Sequence, residues 1–266
     1  VDIHCHALPG VDDGAPDVDT SLAMLRTAVG EGLRQAVVTP HYSANAEPDQ
    51  LRVHESVFSD LVSAVAAEGL PVELHLGVEM AFRFGLQEVA IDASARLAGG
   101  QYVLVDLPPG PLSPGLEQAF FALRTAGWRP ILAHPERHRE LARQPERIQR
   151  LRDQDLLLQV NAGSLVGKFG RRAMATAQLL VERGWADFIA SDGHDLHKRP
   201  MTVRAAADRL LGLVGAERTR QLLCDNPACV MSGAAIEPYH PAVSGRRGGL
   251  GQWIQRRFAP SAATRG

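Results

Sequence analysis

The chain is poor in the residues that would announce several common functions. Its 266 residues hold three cysteines, Cys5, Cys224 and Cys229, an odd and sparse set that argues against a disulfide framework and suits a reducing cytoplasm. None of them heads a C-x-x-x-x-x-R loop: six residues after each stand Val11, Val230 and Ala235, so a cysteinyl-phosphate route is excluded. Three Trp and three Tyr are too few to build stacking platforms for single-stranded nucleic acid. Neither sign of charge dominates. A net charge of −2 and a pI near 6.6 give no global attraction to nucleic acid or to an anionic membrane. No apolar run approaches the ~20 residues of a membrane-spanning helix. No secretory signal is visible, which together with the cysteine usage places the expected location in the cytoplasm.

What is present is a chain 45% hydrophobic, enough for one barrel-sized core or two small ones. Short β-branched runs alternate with longer amphipathic stretches, the pattern of repeated βα units. Strands are expected at residues 1–6, 35–39, 72–78, 102–107, 130–133, 156–161 and 187–191. Helices are expected at about 18–31 (capped by Asp17 or Asp19), 48–68, 115–126, 145–153, 171–183 and 201–213. A last helix near 217–224 should end before Asn226-Pro227. Runs such as QAVVT and YVLVDL are apolar on both faces, as parallel strands covered by helices should be. The seven units predict a closed or nearly closed (β/α) barrel. Near residue 238 the composition turns to Pro, Gly, Ser and Arg. Residues 1–237 are therefore expected to form one domain and 238–266 a flexible basic tail, with a short amphipathic segment at 252–258.

Chemistry-bearing residues gather where these strands end, which is where barrels of this kind place their active groups. In Asp2-Ile3-His4-Cys5-His6, strand alternation puts His4 and His6 on one face and Cys5 on the other, a pincer for a divalent metal. The following loop, PGVDDG, brings Asp12 and Asp13. Later strands end in TPHY with His41, in GVE with Glu79, in VLVDLP with Asp106, in LAHPER with His134, Glu136 and Arg137, and in ASDGHD with Asp192, His194 and Asp195. Only the strand ending QVNAG offers nothing stronger than Asn161. A lone His or Asp after a strand is usually a turn residue. Six ends carrying imidazoles or carboxylates in one barrel would repel or stay poorly solvated unless cations neutralised them. Mixed His and carboxylate donors suit Mn, Zn or Fe, and there are too many for one ion.

The ordered motifs HCHALPGVDDG, TPHY, GVE, LAHPER and ASDGH resemble the PHP (polymerase and histidinol phosphatase) superfamily. The likeness is closest to its bacterial protein-tyrosine-phosphatase branch of capsule and exopolysaccharide synthesis. It covers about residues 1–231 and leaves the tail unmatched. The resemblance implies a distorted seven-stranded TIM-like barrel holding three divalent metals, Mn before Zn, Fe, Co or Mg. It implies His4, His6, Glu79 and Asp192 around the first metal. Glu79 would be shared with a second, completed by His134 and the fourth-strand acid, and Asp13, His41 and His194 would hold the third. That fourth-strand acid is usually Glu in the family, whereas Asp106 stands here, with a reach shorter by about 1.5 Å.

Metal-assisted hydrolysis then replaces cysteine chemistry, because a divalent metal lowers the pKa of bound water from 15.7 toward about 7. Arg137, within one helical turn of His134, and Arg199, in HKRP, are the candidate phosphate clamps, since a guanidinium pairs two oxygens at once. His197 and Lys198 are weaker candidates. The expected function is a metal-dependent phosphotyrosine-protein phosphatase. The resemblance implies as substrate and partner the Tyr-rich tail of a bacterial tyrosine kinase in capsule synthesis. Alternatives are a small-molecule phosphatase, such as one for histidinol phosphate, and a non-catalytic metal-stabilised scaffold that binds a kinase. A PHP exonuclease is disfavoured by the absence of a basic face.

Overall fold

The computed structural model describes residues 1–43, 49–236 and 239. All its strand pairs are parallel and helices separate most of them, so the protein is an α/β fold. One sheet has the order β1 (Asp2–Cys5), β2 (Gln35–Val38), β4 (Glu73–Leu76). The other runs β3 (His41–Tyr42), β5 (Glu79–Ala81), β6 (Tyr102–Asp106), β7 (Arg129–Ala133), β8 (Leu157–Asn161), β9 (Phe188–Ala190). The helices are α1 (Val18–Gly30), α2 (Gln50–Ala67), α3 (Leu86–Val89), α4 (Leu116–Thr125), α5 (Arg139–Arg143), α6 (Pro145–Arg152), α7 (Ala162–Leu165), α8 (Gly170–Glu182), α9 (Arg204–Arg220) and α10 (Asn226–Ser232). Asp17 caps α1 by accepting from the backbone N–H of Thr20 at 2.8 Å.

The strands expected at 35–39 and 72–78 form as β2 and β4, and each is followed at once by a short further strand, β3 or β5, outside the expected bounds. The first stops at Val38 and resumes at His41 in the other sheet; Pro40 between them has no N–H to continue a ladder. The second stops at Leu76 and resumes at Glu79. At Gly77 a Cβ would lie 3.0 Å from Leu97 Cδ2 and 3.1 Å from Val37 Cγ1, so any side chain there would press on both neighbours. Gly77 and Glu79 donate to the carbonyls of Val38 and Pro40, each at 3.0 Å, carrying the pairing across the gap. The result is a register that sets His41 beside Glu79.

No single closed sheet forms among the described residues; the ladder comes in two pieces. They meet again at the first and last strands. Cys5 bridges Gly193, His6 N–H donates to Gly193 O, and Asp192 N–H donates to His4 O, both at 2.8 Å. One buried cluster joins residues of both sheets, including Ile3, Val37, Leu104, Ile131 and Phe188. A larger cluster lies between the six-stranded sheet and its helices, and another packs α1 and α2 on the small sheet.

The expected stop before Asn226-Pro227 does not occur. After a break at Gly215 (φ 76°), α9 passes through a π-helical turn at Gln221–Asp225 directly into α10. Pro227 falls in the first turn of α10, where its missing N–H is an orphan anyway. Among the described residues no helix is long and apolar enough to cross a membrane. The expected tail, 238–266, lies outside the described residues except for Tyr239, as does the expected start of the second helix at residue 48.

Far from the strand ends that carry His4 and Asp192, Asp187 is 1% exposed, pairs with Arg152 and accepts from Leu158 N–H at 2.9 Å. Arg152→Ala would leave a buried carboxylate without its cation and should cost about 3–5 kcal/mol in urea unfolding. An unchanged denaturation midpoint would show that the pair does not stabilise the β8–β9 edge.

Candidate metal centre

Strand alternation on β1 does what the sequence pattern requires. His4 and His6 are fully buried on one face, with their Nε2 atoms 3.2 Å apart, while the Cys5 thiol points away and donates to Val37 O at 3.4 Å. Burial holds that thiol well above its ordinary pKa, so it is protonated and inert.

The proton positions on the imidazoles follow from acceptors that have no choice of role. Asp192 as a carboxylate can only accept, so Asn161 presents its amide N–H₂ to it, 2.5 Å from Oδ2. The Asn161 carbonyl oxygen must then accept from Gln159 Nε2 at 2.9 Å, which turns Gln159 Oε1 toward His4 Nδ1, also at 2.9 Å. His4 therefore donates from Nδ1 and turns its Nε2 into the site. His6 Nδ1 donates to Asp12 Oδ2 at 2.7 Å, and His194 Nδ1 donates to the carbonyl of Asp192 at 3.0 Å. Three imidazoles thus engage Nδ1 with an outer acceptor and turn Nε2 inward, the arrangement that metal-binding histidines adopt.

Carboxylates complete the cage. Glu79, 1% exposed, places Oε1 at 2.9 Å from His134 Nε2 and 3.4 Å from His4 Nε2. Its Oε2 is 3.0 Å from His41 Nδ1 and 3.4 Å from His6 Nε2, with no hydrogen bond reaching it. Asp192 Oδ1 lies 3.4, 3.6 and 3.5 Å from His4, His6 and His194. Asp13 Oδ1 is 3.2 Å from His41 Nε2 and 3.4 Å from His194 Nε2, a nitrogen that also lacks a hydrogen bond.

Three donor groups result, each with its atoms within 4.8 Å of one another: His4, His6 and Asp192; His4, Glu79 and His134; and His6, Asp13, His41 and His194. Asp106 stands outside all three, 3.6 Å from the Nδ1 side of His134. Converging lone pairs and unpartnered buried oxygens fit divalent cations.

The electrostatics agree. Burial alone would suppress a charged His4, but Glu79 and Asp192 outweigh it and lift its pKa to about 9. His41 rises to about 8 for the same reasons, against burial and with Glu79 as the main carboxylate. Burial, then the nearby His6 and the Arg199 guanidinium, pull His194 down to about 3, so it is a neutral donor. Glu79, although buried, is held well below the usual carboxylate range by His4 and His134. The cage is a place where positive charge is stabilised.

Two candidate ligands sit in left-handed backbone: His134 at φ 31° and Asp192 at φ 50°. Such conformations cost roughly 1–3 kcal/mol in a residue with a Cβ and persist where function demands them. Beside Asp192 stand both expected arginines. Arg137 Nη1 donates to Oδ2 and Arg199 Nη2 to Oδ1, each at 2.7 Å. The Arg137 guanidinium rests 4.5 Å above the Phe169 ring, a support the sequence did not reveal. Gln159 and Asn161 were equally invisible as orienting groups. Glu136, 1% exposed, holds the end of β8 by accepting from Asn161 N–H at 3.0 Å and Ser164 Oγ at 2.7 Å. Asp195 ties the next loop by accepting from the backbone of His197 and Lys198.

The family model for capsular polysaccharide synthesis, CpsB/CapC, matches residues 1–232. The tyrosine-protein phosphatase YwqE of Bacillus subtilis is 34% identical over 203 residues, 75% of this chain and 79% of that protein. The putative tyrosine-protein phosphatase CapC of Staphylococcus aureus is 28% identical, over 77% of this chain and 80% of that protein. The tyrosine-protein phosphatase CpsB of Streptococcus pneumoniae is 26% identical, over 85% and 96% respectively. A chain from the crystal structures of YwqE and CpsB, described as unique metal-dependent tyrosine phosphatases, superposes with a TM-score of 0.82 at 31% identity. It covers 91% of this chain and 98% of that one.

Asp12, in the sequence merely the neighbour of Asp13, accepts from His6 Nδ1 and from the backbone of Gly14 and His41. Asp12→Ala should weaken Mn binding about 10–100-fold in calorimetric titration of chelator-stripped protein. Unaltered affinity would contradict its role in orienting His6.

Proposed function

Because this chain belongs to the CpsB/CapC family of capsular polysaccharide synthesis, we propose that it is a metal-dependent phosphotyrosine-protein phosphatase that does not use cysteine. The observation that carries the proposal is the meeting of three donor groups with two guanidiniums at Asp192. Three divalent ions are proposed, with Mn favoured by the mixture of imidazole and carboxylate donors. The first would be held by His4, His6, Glu79 and Asp192, the second by Glu79 and His134, and the third by Asp13, His41 and His194. Asp106, one methylene shorter than the Glu usual in the family, is assigned an orienting role on His134 and contact with the second ion through water.

When bound, such ions supply Lewis-acid stabilisation of phosphate charge and a water acidic enough to attack at neutral pH. The chain itself does the rest. Arg137 and Arg199 exchange an oxygen of Asp192 for the nonbridging phosphate oxygens and fix the ester in line for displacement. Phe169 under Arg137 limits the directions its fork can take. Gln159, Asn161 and Asp12 hold the imidazoles in the ligating tautomer. Phenoxide is a sufficiently good leaving group that no strong acid is assigned to protonate it.

The proposed substrate is the Tyr-rich tail of a bacterial tyrosine kinase acting in capsule synthesis, met in the cytoplasm, a compartment in keeping with three free cysteines. Residues 1–237 are the proposed catalytic domain, its two sheets read as an incompletely closed, distorted seven-unit barrel. The bridge from Cys5 to Gly193 and the core shared by both sheets support that reading.

Purified protein with Mn should hydrolyse p-nitrophenyl phosphate and tyrosine phosphopeptides, and a chelator should abolish both activities. His134→Ala should lower kcat at least about 100-fold, and Arg137→Ala should lower kcat/KM about 10–100-fold. Turnover surviving exhaustive metal removal would refute the proposal. Asp106→Glu should raise the Mn content of the protein by restoring the longer reach; an unchanged content would refute the water-mediated assignment.

A further inference from the structure

The metal centre opens on one side into a cavity of about 780 Å³. Asp106, His134 and Arg137 line its inner end. One wall is the stiff turn Pro109-Gly110-Pro111, and the other is α5 with Arg139 and Arg143. A phosphate does not need that much space, so the cavity is room for the chain on either side of a phosphotyrosine.

The charges on the second wall are unusual. Arg139 and Arg143 are four residues apart on α5, which places them on one face, where like charges cost roughly 0.2–0.5 kcal/mol. Both are exposed, and among the described residues neither side chain takes part in a hydrogen bond or ion pair. The acid between them is committed elsewhere: Glu140 pairs with Arg147 and accepts from Leu112 N–H at 2.8 Å, joining the proline turn to α5. Asp106, the other acid of the cavity, faces His134. The outer groove is therefore left with two cations that nothing among the described residues neutralises, held on a wall whose spacing Glu140 fixes.

We propose that Arg139 and Arg143 form a subsite for carboxylate side chains flanking the phosphotyrosine, so that the preferred substrates are phosphotyrosines set in acidic sequence. This inference rests on the phosphatase reading and names the substrate class of the same site. Charge complementarity selects the occupant: the groove runs out from the Arg137 clamp, and a substrate entering phosphate first must lay its neighbouring residues along α5.

The test uses two phosphopeptides of equal length, identical except that one carries Glu and the other Gln at the positions flanking phosphotyrosine. Both are assayed on the whole chain with Mn, with p-nitrophenyl phosphate as a peptide-free substrate. The wild type should favour the Glu peptide about fivefold in kcat/KM at low ionic strength, a preference that added salt erodes. Arg139→Ala/Arg143→Ala should bring the ratio to about one, and Arg139→Glu/Arg143→Glu should invert it. Both positions are exposed, so neither variant opens a cavity. Equal turnover of the two peptides by wild type, or a wild-type ratio in the charge-reversed variant, would overturn the subsite and leave the phosphatase reading intact. Failure to hydrolyse p-nitrophenyl phosphate or either peptide would remove both.

Discussion

The structure turns on where three protons sit. Gln159, Asp12 and the carbonyl of Asp192 each accept from the Nδ1 of one imidazole, and so leave His4, His6 and His194 with Nε2 as the atom facing inward. Two of those nitrogens face each other at 3.2 Å with carboxylate oxygens around them. Two nitrogens that close need a positive charge between or beside them, either a proton or a metal cation. The raised His4 pKa, about 9 despite complete burial, expresses the same preference in terms of protons.

Much of the surrounding architecture serves to hold this arrangement. The interrupted strands at Pro40 and Gly77 carry His41 and Glu79 across from one sheet to the other in matched register. Left-handed backbone at His134 and Asp192 turns their side chains back over the strand ends. Gly193 has no room for a side chain, since a Cβ would lie 2.7 Å from Met201 Cα, and it links the first strand to the last. Each of these costs regular sheet or relaxed backbone and returns a carboxylate or imidazole aimed at the centre.

The sequence made much of this legible, for identifiable reasons. Period-two alternation put His4 and His6 together, and the strand-end position of each remaining motif placed His41, Glu79, His134, Asp192 and His194 in one neighbourhood before any geometry was known. Arg137 and Arg199 were readable because phosphate chemistry asks for guanidiniums near such a cluster, and both lie against Asp192. Gln159 and Asn161 were not readable. An amide acquires an orienting role only through the tautomers and carboxylates it faces, and strand residues reveal nothing of that. The short strands β3 and β5 were not readable, because two or three residues carry no periodicity of their own and their pairing is tertiary. The helix near the end passed its expected stop because a π-helical turn brought Pro227 into a first turn, where proline is tolerated.

Anomalous diffraction at the Mn absorption edge, from crystals grown with that metal, tests the account most directly. It predicts peaks bonded at about 2.0–2.3 Å to the Nε2 atoms of His4, His6 and His194, with Glu79 shared between two of them. Density bonded instead through Nδ1, or metal found only away from these residues, would contradict it.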